Sequence, residues 1–135
     1  MSHRLNWAIV VLGLLFMYKN GEAQKSEPVT QHTDSLKRAM TKQKAANKER
    51  AAKTQFQYFV IKAANQTFGY DVYADGNLYL HQPTIPGIGG INGFADTASA
   101  GMVARLAISK IKMGEIPPTI TRQELNQLKV KLPRF

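Results

Sequence analysis

The chain contains no cysteine, and this absence excludes several kinds of site at once. Disulfide bonds, thiolate nucleophiles, cysteine-ligated zinc and a cysteine-linked lipid anchor all require a residue that the sequence does not have. We therefore expect the fold to be stabilised by packing rather than by disulfide or zinc–thiolate cross-links.

Long apolar runs are also missing, since the longest spans the 12 residues from Trp7 to Tyr18. A helix needs about 20 apolar residues to cross a bilayer. Arg4 precedes the run, and Gly21-Glu22-Ala23 follows it with small residues at the positions that a signal peptidase reads. The pattern predicts a signal peptide over residues 1–23, cleaved after Ala23, and a periplasmic or secreted protein. Retention of this leader as a membrane anchor is the alternative.

Acidic residues are few, with nine against eighteen basic ones and a net charge of +9. The imbalance is concentrated in residues 24–53, which hold eight basic and three acidic side chains and no aromatic residue. Such a composition predicts a basic tether, either flexible or helical. Residues 37–53 suit contact with an anionic membrane surface. The charge would also suit nucleic acid, but export argues against that partner.

Residues 54–135 form the predicted domain, and they begin with the pattern of a small sheet. An aromatic and β-branched run starts at Phe56, and a second alternating run starts at Phe68. Asp75-Gly76 separates this second run from a third, and that dipeptide favours the positive φ angles of a two-residue hairpin. The pattern predicts a three-stranded antiparallel meander over about 56–82.

Two helices are predicted after the meander. Asp96 suits an N-cap, apolar residues recur at helical spacing as far as Ile111, and Gly114 is a natural stop. Thr121 and Glu124 have the spacing of a capping box ahead of a short final helix. The predicted fold class is therefore α+β, in the order β-β-β-α-α, with the main helix packed on one face of the sheet.

A series of motifs in fixed order, from Phe68 to Leu128, resembles a known family. The motifs are Gly69-Tyr70-Asp71-Val72-Tyr73, the Asp75-Gly76 turn, His81-Gln82-Pro83-Thr84-Ile85-Pro86-Gly87, Gly93-Phe94, Lys110-Ile111 and Gly114-Glu115-Ile116-Pro117-Pro118-Thr119-Ile120-Thr121. They resemble an uncharacterised family of small exported Bacteroidetes proteins, classed as a domain of unknown function. The resemblance implies export and one small α+β domain, and it implies no catalytic residues.

Histidine is scarce as well, and His81 is the single histidine of residues 54–135. Asp71 on the neighbouring strand is expected to face it, and such a pair can orient an imidazole as a general base. No second histidine accompanies it, so neither a metal centre nor a catalytic triad is indicated. We therefore expect a protein that is not an enzyme and that has no cofactor. A small hydrolase or metal protein using His81 is the weaker alternative.

The segment 82–94 is long for a connection in so small a domain, and long irregular loops often bind partners. Ile85, Ile88 and Ile91 recur at every third position along it. Exposed, they would form an adhesive patch; folded inward, they would cover an open end of the core. We favour the covered arrangement because a small core needs the apolar area.

The predicted binding surface joins this loop to the uncovered face of the sheet, where alternation is expected to bring together two tyrosines and the histidine. Its residues are Tyr73, Tyr79, His81, Pro83, Pro86, Gly87 and Ile88. The expected partner is another protein or an envelope component. The sequence leaves the oligomeric state open.

Overall fold

The structure, a computed structural model, describes residues 29–133. These residues contain three antiparallel strands and three helices, joined by loops. Their bounds are α1 Val29–Ala52, β1 Phe56–Lys62, β2 Phe68–Ala74, β3 Asn77–Gln82, α2 Thr97–Lys112 and α3 Arg122–Gln127. The predicted β-β-β-α-α order is confirmed, and α1 precedes it. The predicted leader, with its cleavage position after Ala23, lies outside the described residues.

The sheet is the predicted meander, with strand order β1-β2-β3. Asp75 and Gly76 both have positive φ, 49° and 81°, as the hairpin between β2 and β3 requires. The register of this hairpin shifts at a bulge: Tyr73 pairs with Leu78, whereas Val72 pairs with Leu80. One extra residue on β3, at position 79, therefore lies between these two pairs.

The register of the hairpin corrects the predicted placement of Tyr79. The prediction put it on the same face as Tyr73, but the turn pairs Tyr73 with Leu78, so the next residue, Tyr79, lies on the opposite face. The Tyr79 ring instead meets Phe56 edge to face at 5.9 Å, on the side of the sheet that α2 covers. Leu78 takes the position opposite Tyr73 on the other face.

The core lies between α2 and one face of β1 and β2. Tyr70 and Val72 from β2 are buried there against Ala100, Val103 and Ala107 of α2. The alanine side chains are short, so the helix axis comes close to the sheet. Further buried members come from outside these elements: Ile85, Phe94, Ile120 and Leu125.

Both domain helices begin at the predicted caps. The Asp96 carboxylate accepts a hydrogen bond from the Ser99 amide at 2.7 Å, which lowers the pKa of Asp96. Thr121 and Glu124 form the predicted capping box at the start of α3. Asp96 and Thr121 have extended backbone angles, as N-cap residues do.

Helix α1 lies within the segment that the sequence offers as a flexible or helical tether. Alanine, lysine and glutamine favour a helix there, and most of its described side chains face solvent. Near its end it packs on the domain, where Asn47 and Ala51 are buried. The Asn47 Nδ2 donates to the Gly114 carbonyl at 3.3 Å. Among residues 29–133, no helix has the length and apolarity needed to cross a membrane.

Candidate functional site

The outer face of the sheet, opposite the side that α2 covers, carries large apolar side chains in the open. Phe59 and Leu78 are each 55% exposed. The Phe59 ring meets the Tyr73 ring edge to face, with centroids 5.4 Å apart. Tyr73 is in turn the cross-strand partner of Leu78. Phe59, Tyr73 and Leu78 thus form a continuous apolar patch across all three strands, which we call the outer patch.

Asp71 and His81 lie beside the outer patch as direct cross-strand partners. The His81 Nδ1 is 2.6 Å from the Asp71 Oδ1, so the predicted pairing of these residues is confirmed. The Asp71 side chain is 14% exposed and the His81 side chain 56% exposed. The more buried Asp71 carboxylate therefore orients the more exposed imidazole. Within the described part of the chain, the other ring nitrogen, Nε2, has no protein partner.

Metal binding and catalysis each place requirements on the groups around such a pair. A metal centre needs several converging ligands, and within residues 29–133 no group of three or more His, Asp or Glu side chains converges in that way. A catalytic base acts on a nucleophile or substrate within hydrogen-bond reach. The pair supplies an oriented imidazole at the edge of an apolar surface.

The proline-glycine loop continues from His81 and starts on the same face. A Cβ at Gly69, on the outer side of β2, would overlap the Gln82 carbonyl and the Pro83 Cα. The chain therefore crosses directly over Gly69, and only glycine permits this approach. Pro83 thereby extends the outer face beyond the end of β3.

Two of the three isoleucines in the rest of the loop turn toward the core. Ile85 is buried and Ile88 is half-buried against the core, so the covered arrangement is confirmed for these two. It is wrong for Ile91, which is 67% exposed. Gly87 has a φ of 71° and lies near the Ile120 carbonyl, close to the start of α3.

The structure thus divides the predicted binding residues into three groups. Tyr73, His81 and Pro83 share the outer face. Tyr79 lies with Phe56 on the opposite side. The third group, Pro86, Gly87 and Ile88, lies further along the loop, where Ile88 packs against the core, Pro86 is half-buried and Gly87 is exposed.

Phe59 and Leu78 belong to the outer patch, but the predicted binding set does not include them. Alternation along β1 does put Phe59 on the outer face, so its signal is present in the sequence. The position of Leu78 follows from the Asp75-Gly76 turn, because a two-residue turn pairs Asn77 with Ala74 and Leu78 with Tyr73. The signal for Leu78 is therefore present in the sequence as well.

Residues 60–127 match a family described as a domain of unknown function, DUF4907. The chain belongs to this family. Its membership confirms the resemblance to a domain of unknown function, whereas the resemblance to exported Bacteroidetes proteins stays a prediction. No curated protein and no solved structure matches the chain.

The DUF4907 region begins within β1 and ends with α3. It includes the Asp71–His81 pair and two of the three outer-patch residues, Tyr73 and Leu78. It does not include Phe59 or any part of α1. The outer face is therefore mainly a feature of the family region, and the contribution of Phe59 comes from just before it.

Proposed function

We propose that this protein is a non-catalytic interaction module that acts in the periplasm or outside the cell. Its binding surface is the outer face of the sheet, and its partner is another protein or an envelope component. The observation that carries the proposal is the exposure of Phe59 and Leu78, each 55%, beside Tyr73 on one continuous face. Contiguous exposed apolar side chains rimmed by polar ones often mark an interaction site.

The polar rim of the outer patch supports binding rather than chemistry. Asp71 orients His81 through Nδ1, so Nε2 faces outward as a hydrogen-bond acceptor while the imidazole is neutral. Pro83, held over Gly69, is a rigid neighbour that loses little entropy when a partner covers it. Aromatic anchors surrounded by rigid polar groups are typical of interface hot spots.

Site-specific photo-crosslinking in intact cells tests this proposal. A benzoylphenylalanine at position 59 or 78 places the reactive group on the outer patch. The matched control is the same amino acid at Asn126, an exposed position of α3. We expect a discrete cross-linked species from positions 59 and 78 that is weak or missing from position 126, and mass spectrometry identifies the captured component.

A second measurement separates specific capture from nonspecific adhesion. With the cross-linker at position 59, the substitution Leu78→Ser should remove the cross-linked species, because it takes away the adjoining apolar area. Lys129→Ser changes a side chain that is exposed outside the sheet and should leave the species intact. Equal labelling from all three cross-linker positions, or none from position 59, would contradict the proposal.

Association with the envelope through α1 is the second candidate, and the charge of that helix favours it. Residues 37–53 carry seven basic side chains, all exposed: Lys37, Arg38, Lys42, Lys44, Lys48, Arg50 and Lys53. Glu49 is the single acidic residue in this range, and it lies 3.6 Å from Lys53. A basic side chain near an anionic bilayer contributes about 1 kcal/mol to attraction.

Co-sedimentation with vesicles of phosphatidylglycerol and phosphatidylcholine distinguishes the two candidates. Attachment through α1 predicts binding that falls steeply with salt and with the triple substitution Lys37→Gln, Arg38→Gln, Lys42→Gln. The outer-patch variant Phe59→Ser with Leu78→Ser should bind such vesicles as the unchanged protein does. Vesicle binding that is insensitive to both salt and the triple substitution would rule out this second candidate.

A further inference from the structure

A cleft lies on the other side of the sheet from the outer patch, between α1 and the β2–β3 hairpin. Its volume is about 480 Å³. Phe56, Ala74 and Tyr79 line it from the sheet, and Asn47 and Arg50 line it from α1. Small-molecule sites in proteins have volumes of about 300–1,000 Å³. The cleft is therefore large enough for a small ligand, and it does not include the outer patch.

The sheet side of the cleft is aromatic because Tyr79 and Phe56 lie on the same face of the sheet. Their rings meet edge to face with an interplanar angle of 77°. Ala74 is the cross-strand partner of Phe56, and its small side chain forms part of the cleft wall. Tyr79 is 42% exposed, so part of its ring is open to a bound molecule.

The helix side of the cleft is polar and carries a positive charge. The buried Asn47 accepts hydrogen bonds at Oδ1 from Arg50 at 2.7 Å and from Gln43 at 2.9 Å. Asn47 in turn donates a hydrogen bond to the Gly114 carbonyl, which connects it to the domain. Asn47 therefore positions the Arg50 guanidinium at the helix side of the cleft. One of the two terminal nitrogens of the guanidinium donates the hydrogen bond to Asn47.

The charge of Arg50 has no counterion within the described residues, since no carboxylate there lies within 4.0 Å of the guanidinium. Asp75 also lines the cleft, but its Oδ1 accepts a hydrogen bond from the Gln55 amide at 2.8 Å. A guanidinium has five N–H donors in a planar fork that matches a carboxylate. The remaining donors of Arg50 are therefore suited to an anionic ligand.

We propose that this cleft binds a small aromatic carboxylate, whose acidic group pairs with Arg50 and whose ring lies against Phe56 and Tyr79. The aromatic wall provides apolar area and favourable ring–ring geometry. The guanidinium provides the charge-assisted hydrogen bonds that orient the ligand. Asn47, Arg50 and Phe56 precede residue 60, whereas Ala74 and Tyr79 lie within the matched family region, so that region supplies only part of the site.

Titration of the ¹⁵N-labelled protein with 2-naphthoate, followed by amide chemical shifts, tests the proposal. We expect saturable shifts centred on Phe56, Ala74, Tyr79 and the end of α1. The neutral analogue 2-naphthamide has the same ring system without the charge. It should bind at least about tenfold more weakly, because hydrogen bonds to charged groups are the stronger ones.

Two pairs of variants assign the binding to the named side chains. Arg50→Gln should weaken naphthoate binding about tenfold, while Arg38→Gln, on an exposed part of the same helix, should not change it. Tyr79→Ala should weaken binding several-fold, and Tyr73→Ala on the outer face should leave it unchanged. Amide spectra of the free variants show whether each one remains folded.

Several results would overturn the proposal. They are the absence of saturable binding of naphthoate, equal binding of the naphthamide, or equal effects of Arg50→Gln and Arg38→Gln. Shifts centred on Phe59 and Leu78 would also overturn it, because they would assign the probe to the outer patch. None of these outcomes bears on partner capture through the outer patch, so the two proposals fail or succeed independently.

Discussion

Lys110 Nζ lies 2.8 Å from Glu124 Oε1, and this ion pair joins the last turn of α2 to α3. Lys110 also donates to the Thr119 carbonyl at 2.6 Å. The second oxygen of Glu124 accepts hydrogen bonds from the Thr121 backbone and hydroxyl, at 2.8 and 2.9 Å. One carboxylate thus closes the capping box of α3 and holds that helix to the main helix.

These contacts predict a specific loss of stability in acid. The hydrogen bond from Lys110, followed by that from the Thr121 amide, lowers the pKa of Glu124 to about 2. A carboxyl with a depressed pKa in the folded state stabilises the fold above its unfolded value of 4.5, and this contribution is lost as the pH falls toward 2. Urea midpoints measured between pH 7 and pH 2.5 should therefore fall most steeply below pH 4.5.

Glu124→Gln separates this effect from general acid denaturation. Glutamine retains the capping box but has no charge for Lys110, so we expect a loss of about 1 kcal/mol at pH 7. The variant should also show a shallower decline below pH 4.5, and the remaining decline includes the contribution of Asp96. Glu49→Gln, in the exposed pair with Lys53, is the control and should not change either quantity. Parallel acid profiles for Glu124→Gln and the unchanged protein would show that the pair does not contribute.

Gly114 connects α1 to the domain, and its replacement should show how firmly that helix is held. Its φ is 86°, and a Cβ there would overlap the Lys44 carbonyl. Gly76 has a similar φ of 81° but open space around it, so it is a matched control. We expect Gly76→Ala to cost about 1 kcal/mol of unfolding free energy and Gly114→Ala about 2–4 kcal/mol.

Amide hydrogen exchange tells how Gly114→Ala is accommodated. If α1 packs as described, the amides around Asn47 and Ala51 should lose protection in Gly114→Ala and keep it in Gly76→Ala. Equal costs and unchanged protection in the two variants would mean that α1 contributes nothing at this contact.

The parts of the fold that the sequence predicts well are those specified by local rules. The Asp75-Gly76 turn, the Asp96 cap and the capping box at Thr121 each depend on residues close together in the chain. The face of α2 that packs on the sheet follows from helical spacing, since Val103 and Ala107 are both buried. The pairing of Leu78 with Tyr73 follows from the register that this two-residue turn sets.

The contacts that the sequence does not predict are between distant residues or depend on irregular backbone. The contact of Asn47 with Gly114 joins positions 67 residues apart. Helix α1 has no apolar stripe from which its packing on the domain could be predicted. The direct pairing of Asp71 with His81 depends on the bulge at Tyr79, because without it Asp71 would face Leu80. Ile91 follows the same three-residue spacing as Ile85, yet the loop buries one and exposes the other. Periodicity predicts faces only where the backbone is regular.

Export predicts a definite N-terminus for the mature protein. Cleavage after Ala23 would leave Gln24 as the first residue, and N-terminal peptides of the purified protein should begin there. Ala23→Tyr should block processing, because the small residue at this position is what the peptidase recognises. Glu22→Gln changes the neighbouring residue and should process normally. Mature protein that begins at Met1 in the soluble cytosolic fraction would contradict the export proposal.

The Asp71–His81 contact predicts which nitrogen of the imidazole carries the proton. An ionised carboxylate accepts hydrogen bonds only, so the 2.6 Å contact at Nδ1 requires a proton on that atom. The neutral ring should therefore be the Nδ1–H tautomer, with the Nε2 lone pair directed away from Asp71. Two-bond ¹H–¹⁵N correlation spectra should show a protonated Nδ1 and an unprotonated Nε2.

Asp71→Asn is the control for this tautomer, because its amide can donate to the ring and removes the requirement for a proton at Nδ1. Its His81 should shift toward the Nε2–H form. The same form in the unchanged protein would mean that the carboxylate does not set the orientation. If Nε2 is the acceptor for a partner, His81→Gln should weaken cross-linking from position 59 while leaving stability unchanged, since the ring is largely exposed. If the partner contacts only the apolar side chains, His81→Gln should leave cross-linking from position 59 unchanged. Cross-linking and stability measured together therefore show whether recognition uses the imidazole or only the outer patch.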